Sequence, residues 1–406
     1  MRILVLDTIH GGCEIGGAFA RAGHTVDMVD VYRGTTPEAA ERAAQETYDL
    51  VVAPVHLDPE HPLLAGRSGS EPVISHHEAV RQLLEGHVPH PMIEITGAQG
   101  KTTTAFALAH LLPGPGVLHT SAGTYEMPGR TWFFKKSITP ASVLGATEKA
   151  VSLPGWLIAE ESLGVTGAGD LAIITSPSDY RCAAGKKSAL AEKIASAKKC
   201  RRLLLAPGIP TVEHAEAVQL DDVARVSGTT CTIEYGGRTA TFSNPLLVQP
   251  GYRVPLALAG TAAVMLGYDP ALLSTFSGVA GRMSVRKHHN VLVIDNANSG
   301  TTAETTVEAA RYARACAGSP GITLVIGTVK GDGAVCEGFP DEQIISAIET
   351  IRPRSVIWVG DPPKHGTDTS ASWKIDAVCP TLKEAERCAL ERTTTGAIVL
   401  AVKTWR

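Results

Sequence analysis

The feature that most constrains this chain is a short loop. Met92–Thr96 reads as a strand, Gly97-Ala98-Gln99-Gly100-Lys101-Thr102-Thr103 follows at once, and a helix is predicted over 102–112. A buried strand that delivers glycines into a helix start makes an anion cradle. Absent side chains let backbone N–H groups close around phosphate oxygens, and the helix turns its positive end toward them. Lys101 then supplies charge to the β- and γ-phosphates, and the Thr102 hydroxyl offers an oxygen to Mg2+. The predicted ATP-binding run is Thr96, Gly97, Ala98, Gln99, Gly100, Lys101, Thr102 and Thr103. The commoner loop carries a glycine five residues before its Gly-Lys pair; that position is Ile95 here, and the motif shortens to G-x-x-G-K-T-T starting at Gly97. Such a strand–loop–helix needs a parallel α/β sheet around it. The alternative is a chance glycine turn before a helix.

Composition narrows the class further. A length of 406 residues exceeds one ordinary core and predicts two or three domains. Forty glycines and 25 prolines are dispersed along the chain, which fits many short elements joined by tight turns. A formal charge of −4 gives no support for a nucleic-acid partner. No apolar run approaches the roughly 20 residues that cross a bilayer, so no membrane partner is expected. The start, Met1 to Asp7, meets an acid too early for a signal peptide and reads as a strand. Eight cysteines without a C-x-x-C predict neither a disulfide framework nor a zinc site, but the reduced thiols of a cytoplasmic protein. Nothing in the sequence speaks to oligomeric state.

Three α/β segments are expected, at 1–90, 91–280 and 281–406. In the first, strands over 3–6, 25–31 and 49–55 alternate with a helix over 14–22, and a polar, Pro- and His-rich stretch runs from His56 to about Pro91. In the second, strands over 92–96, 155–160, 171–175 and 202–206 imply a parallel sheet, with a lysine-rich helix over 186–199. A hairpin over 229–242 turns at Gly236-Gly237, and a helix over 255–266 closes the segment. The third begins near Gly281-Arg282-Met283, with strands over 291–295, 322–326, 355–359 and 397–402 and helices over 302–317, 341–351 and 382–391.

The variant loop T-G-x-x-G-K-T-T resembles the ATP loop of the Mur ligases and of folylpolyglutamate synthase. Other segments follow in the same order. Glu160-Glu161-Ser162-Leu163-Gly164 is similar to the family's E-x-S/G segment, whose first Glu holds Mg2+. Thr175 to Tyr180 sits where the family has T-N-x-x-x-D-H, and Gly281-Arg282-Met283 resembles the G-R-x that opens its C-terminal domain. Asp295 to Ser299 takes the place of the D-x-x-x-N loop, and Gly327 to Asp332 that of G-G-x-K-G-x-D. The resemblance implies a three-domain Mur ligase architecture: a Rossmann-like N-terminal domain, a central P-loop ATPase domain and a Rossmann-like C-terminal domain. It also implies that ATP phosphorylates a carboxylate and that a nucleophile attacks the acyl phosphate. Lys101, Thr102 and Glu160 with Mg2+, Arg282, and Asp295 at the nucleotide are the groups it assigns. Residue by residue, alternatives stand: a surface carboxylate for Glu160, a boundary ion pair for Arg282, and helix caps for Asp295 and Asn298.

Departures from the family pattern mark a divergent member. Tyr180 replaces the His that serves as a second metal ligand, and the C-terminal D-D-Y-A-H-N-P loop has become Asp295-Asn296-Ala297-Asn298-Ser299-Gly300. Many Mur enzymes carry a carbamylated lysine; Lys193 is the nearest candidate, in a helix otherwise read as a solvated lysine face. The first segment, Leu6-Asp7-Thr8-Ile9-His10-Gly11-Gly12 with Ala22–Asp27 and Val31-Tyr32, closely resembles the archaeal Mur-like coenzyme F(430) synthases. That branch implies an ADP-forming ligase whose substrate is a nickel tetrapyrrole seco-acid, with nickel carried by the substrate and not by the protein. A propionate activated by ATP would then be attacked by a carbon of the same molecule, closing a carbocyclic ring. Asp7, Thr8, His10, Gly11 and Gly12 are the substrate-binding candidates, at the C-terminal end of a first parallel strand. Arg130 to Lys136 mixes bases and aromatics suited to a flat, carboxylate-edged ring, or is an ordinary strand with snorkelling lysines. His56, His61, His76, His77, His87 and His90 are nickel-ligand candidates whose irregular spacing predicts solvated loop histidines. The rival activities are a Mur-like amide ligase and a nucleotide switch that makes no bond.

Overall fold

The apolar run Ile3–Leu6 carries no polar alternation, as expected of a strand covered on both faces, and Met92–Thr96 is buried at every position although it includes Glu94 and Thr96. They take that form in the computed structural model, which describes residues 1–32, 36–67, 71–318, 321–329, 339–362 and 373–404. The chain divides into two compact units, Met1–Leu247 with Val254–Phe276, and Val248–Arg253 with Ser277–Arg406.

In the first unit a parallel four-stranded sheet runs in the order Thr25–Val29, Arg2–Leu6, Leu50–Ala53, Val73–Ser75. The second sheet has eight strands, in the order Ala217–Gln219, Arg202–Leu205, Leu171–Ile174, Met92–Thr96, Trp156–Glu160, Gly116–Thr120, Gly123–Met127, Thr131–Phe134. Its first six strands are parallel, and the last two turn back antiparallel. Met92–Thr96 lies between Leu171–Ile174 and Trp156–Glu160, so the phosphate loop leaves the sheet centre at its C-terminal edge, where open sheets hold ligands. One apolar cluster joins the two sheets: Ile3, Val5, Ile15 and Phe19 continue through Val80, Ala141 and Val143 to Met92, Val117 and Leu157.

The second unit holds a six-stranded sheet, ordered Ser284–His288, Val291–Asp295, Gly396–Lys403, Ile322–Thr328, Ser355–Val359, Ala377–Cys379, with only the first strand antiparallel. Both large sheets are doubly wound α/β, in line with the expected Mur architecture. No helix among the described residues is long and apolar enough to cross a membrane.

The His-rich stretch departs from its reading as a polar loop. It contains the strand Val73–Ser75 and the helix His76–Leu84, which starts with a capping box between Ser75 and Glu78. His76 and His77 are buried: the Nε2 of His76 bonds the Leu6 carbonyl at 3.0 Å, and that of His77 the Ser162 carbonyl at 3.1 Å. A ring nitrogen tied to a backbone carbonyl fixes a buried histidine in the packing. Strands over 116–127 and the helix Pro140–Val151 were also unforeseen. The lysine-rich helix shortens to Ala189–Ala197, and Lys193 within it faces inward.

Candidate active site

The helix Lys101–Leu111 begins at Gly100, which is left-handed (φ 81°) and has no side chain to cap the first turn. The opening amides of the helix are therefore not covered by a side-chain cap, the arrangement that suits an anion. Gly97 is also at positive φ, 144°, and a Cβ there would stand 2.2 Å from Thr175 Oγ1 and 3.0 Å from its backbone nitrogen. Thr175 donates to the Thr96 and Gln99 carbonyls, and the Ala98 and Gln99 amides donate to Ser176 Oγ at 3.1 and 3.3 Å. The Thr175-Ser176 pair thus holds the loop open, with two amides turned on one oxygen.

At the helix head, Thr102 Oγ1 donates to the Glu160 carboxylate at 2.9–3.0 Å and lies 3.3 Å from Ser121 Oγ. Glu160 also accepts from the Ser121 amide at 3.1 Å, and Lys101 Nζ stands 4.0 Å away while donating to the Gly97 carbonyl at 2.9 Å. Glu160 is buried, so it is not the surface carboxylate of the alternative reading. Two hydroxyls and a carboxylate are hard oxygen donors, the chemistry that Mg2+ prefers. Ser121 was not foreseen, because the strand that delivers it, Gly116–Thr120, was not read from the sequence.

Lys193 is close enough to Lys101 to feel its charge. It is 1% exposed, its Nζ has no hydrogen-bond partner, and it sits 4.7 Å from the centre of the Tyr180 ring. Burial, reinforced by the charge of Lys101, pushes its ammonium down to about 8. Tyr180, at the position of the missing His, thus presents a ring face to this lysine. Asp179 accepts from the Tyr180 and Leu190 amides and from Ser188 Oγ; those bonds, led by Leu190, hold its carboxyl below the ordinary range. Its visible work is to fix the loop before the Lys193 helix.

In the second unit, Arg282 donates to Asn298 Oδ1 at 2.6 Å, and Asn298 Nδ2 donates to the Gly281 and Asn296 carbonyls. Asp295 accepts from the Ala297 amide. The next helix, Ala303–Ala317, is capped by Thr302, so the capping alternative for Asp295 and Asn298 is not realised. Arg282, Asp295 and Asn298 therefore form one loop system at the C-terminal end of Val291–Asp295. Lys330, Gly331 and Asp332 lie outside the described residues.

At the C-terminal end of Arg2–Leu6, Asp7 is fully buried at a positive φ of 81°. Oδ1 accepts from the Ile9 and His10 amides at 2.7 and 3.1 Å, and Oδ2 contacts His10 Nδ1 at 2.8 Å. Burial opposes its charge, but the His10 and amide bonds outweigh it and hold the carboxyl below its usual range. A Cβ on Gly12 would overlap the Asp7 carbonyl at 1.6 Å, and one on Gly11 would strike Ala141 Cβ at 2.5 Å, so the tight turn requires both glycines. Thr8 is half-buried within this turn. The structure adds His56 and Tyr32 to these candidates: His56 stacks on Tyr32 at 5.5 Å and meets the His10 ring edge-on at 4.8 Å. In contrast, Trp132 of the strand Thr131–Phe134 is 61% exposed, and Arg130 lies over the rings of Phe106 and Tyr125.

Comparison with known proteins gives this geometry a context. A family model described as coenzyme F(430) synthetase CfbE, C-terminal domain, matches residues 285–404. Coenzyme F(430) synthetase of Methanosarcina acetivorans is 31% identical, over 92% of this chain and 93% of its own. That of Methanocaldococcus jannaschii is 24% identical, over 48% and 50%. Among solved structures, the UDP-N-acetylmuramate-alanine ligase MurC of Thermotoga maritima superposes with a TM-score of 0.52 at 15% identity, covering 99% of this chain and 95% of that one. The bifunctional folylpolyglutamate synthase/dihydrofolate synthase of Yersinia pestis, complexed with AMPPNP and a manganese ion, gives 0.54 at 17% identity, over 81% and 90%.

Proposed function

The chain belongs to the coenzyme F(430) synthetase family, ATP-dependent ligases of coenzyme F(430) biosynthesis with the Mur fold, and from that premise we propose how its residues carry the reaction. The γ-phosphoryl group of ATP passes to a propionate oxygen of the nickel seco-tetrapyrrole. The bond to ADP breaks as the new P–O bond forms. A carbon of the same molecule then attacks the acyl carbon, phosphate departs, the carbon gives up its proton, and a carbocyclic ketone closes.

The observation that carries this reading is the meeting of Lys101, Thr102, Ser121 and Glu160 at the head of an uncapped helix beside the phosphate loop. Phosphoryl transfer asks mainly for positioning and charge neutralisation, which is what this group offers. Lys101 holds the β/γ-phosphates, while Thr102 and Glu160, with Ser121 beside them, hold Mg2+. That ion, when bound, offsets the phosphate charge. Lys193 serves as a carbamylated lysine near the phosphates. In the same reading Arg282 and Asp295 serve the nucleotide, and Asp7, Thr8, His10, Gly11 and Gly12 the tetrapyrrole, as the family resemblance implies.

The test supplies purified protein with ATP, Mg2+ and the seco-tetrapyrrole, and no amine. Ring closure with ADP release is expected, and 18O in the substrate carboxylate is expected to appear in the released phosphate. Turnover only when an amino acid is added would overturn the carbon–carbon reading in favour of an amide ligase. Phosphate free of 18O would overturn the acyl phosphate.

A further inference from the structure

The cluster at the end of the first strand contains more than a turn. Asp7, His10 and His56 each place one ligand atom within 4.8 Å of the others. Asp7 and His10 share the turn after the first strand, and His56 comes from the segment after Leu50–Ala53.

The way each group is already engaged decides what kind of metal fits. Both Asp7 oxygens are taken, one by two backbone amides and the other by His10 Nδ1. A buried carboxylate on the far nitrogen of an imidazole is how proteins orient a ligating histidine and strengthen its donor atom. Asp7 therefore stands behind His10, whose Nε2 is the donor. His56 makes no hydrogen bond among the described residues, and Tyr32 fixes its plane by stacking at an interplanar angle of 15°. Two imidazoles are fewer than the three or four protein ligands of a tight free-ion site. They are sufficient for a metal already held in plane by a macrocycle, which needs only an axial donor.

We propose that His10, oriented by Asp7 and flanked by His56, donates Nε2 to the axial position of the tetrapyrrole's nickel, with Tyr32 as a flat wall beside the ring. This rests on the tetrapyrrole reading above and adds to it a nickel-binding donor set. The donor atoms sit at the C-terminal edge of a parallel sheet, the place where open α/β sheets bind ligands. No electron transfer is involved: a lone pair is shared, and the metal keeps its valence.

The test uses the full chain and three probes: the nickel seco-tetrapyrrole, Ni2+ alone, and ATP. On binding wild-type protein, the macrocycle is expected to shift its visible band and gain a nickel ligand by X-ray absorption. His10→Ala is expected to lose both changes and to raise the KM for the macrocycle about tenfold or more. Asp7→Asn should weaken binding roughly 10- to 100-fold, as loss of a carboxylate behind a ligating histidine does. ATP affinity, read in the same preparations with His10→Gln as a gentler second variant, reports that the fold is intact. A wild-type nickel spectrum in His10→Ala would overturn the proposal. So would tight binding of Ni2+ alone with an unshifted macrocycle, since that marks a free-ion site. If the wild type closes the ring while its nickel spectrum is unchanged, only this inference fails. If it closes no ring, the functional reading fails and takes the inference with it.

Discussion

Lys193 offers the sharpest test of the site. Burial, and then the charge of Lys101, bring its ammonium from 10.5 to about 8. At pH 7 the neutral amine then rises from about one part in three thousand to about one in ten, a gain of roughly 300-fold. Only the neutral amine attacks carbon dioxide: nitrogen bonds to carbon, a proton leaves, and a lysine carbamate anion forms. We therefore expect 13C-bicarbonate to give a protein-bound carbamate signal in the wild type that Lys193→Ala lacks. Turnover in that variant should fall by about 10²-fold, the scale of losing one preorganised charged group. Two neighbours move the effect in opposite directions. Lys101→Met removes a repelling cation, raises the Lys193 pKa and reduces carbamate. Tyr180→Leu removes a ring face that favours the ammonium, worth about 1–2 kcal/mol when desolvated, and so lowers the pKa and increases carbamate. An unchanged carbamate signal in Lys193→Ala, or full activity without bicarbonate, refutes the reasoning.

Three further outcomes are expected. Lys101→Ala should lower ADP formation by 10²–10³-fold, about 2.7–4 kcal/mol of lost transition-state stabilisation, and a near-normal rate would place the site elsewhere. Gly97→Ala forces a Cβ to 2.2 Å from Thr175 Oγ1 at φ 144°, so calorimetry should show a loss of about 1–3 kcal/mol together with weaker ATP binding; unchanged values for both would contradict the packing described. His76, His77 and His119 are buried, and burial pushes each down to about 4 from 6.5. The unfolded chain takes up these protons first, so stability present above pH 6.5 is lost as pH falls toward 4, by on the order of 2–3 kcal/mol per histidine. Denaturant melts should show this acid loss, and His119→Leu should lessen it; a flat profile over that window would exclude neutral, buried rings.

Much of the site was legible in the chain because its signals are local. Met92–Thr96 and Val291–Asp295 match their predicted spans, since short runs rich in β-branched and apolar residues between proline, glycine and polar breaks admit few other forms. What failed locally had a competing cause. Ser75-His76-His77-Glu78 carries a capping-box signature, yet paired histidines were read as solvated loop because their partners are carbonyls 70 and 85 residues away. Gly116–Thr120 holds a His and ends in Thr120-Ser121-Ala122-Gly123, a run whose weak alternation hides a strand buried on both faces. Losing that strand lost Ser121.

The sequence by itself determined the phosphate loop, the alternation that builds two doubly wound sheets, and the order of motifs that marks the family. These depend on spacing within some ten residues, where backbone stereochemistry and hydrophobic period act directly. Only the tertiary structure decided that Lys193 is a buried, unbonded amine rather than part of a solvated face, that Ser121 joins Thr102 and Glu160, and that His56 and Tyr32 close on Asp7 and His10. Each of those depends on which strands become neighbours in a sheet. Strand order is set by burial summed over the whole fold, which no single segment encodes.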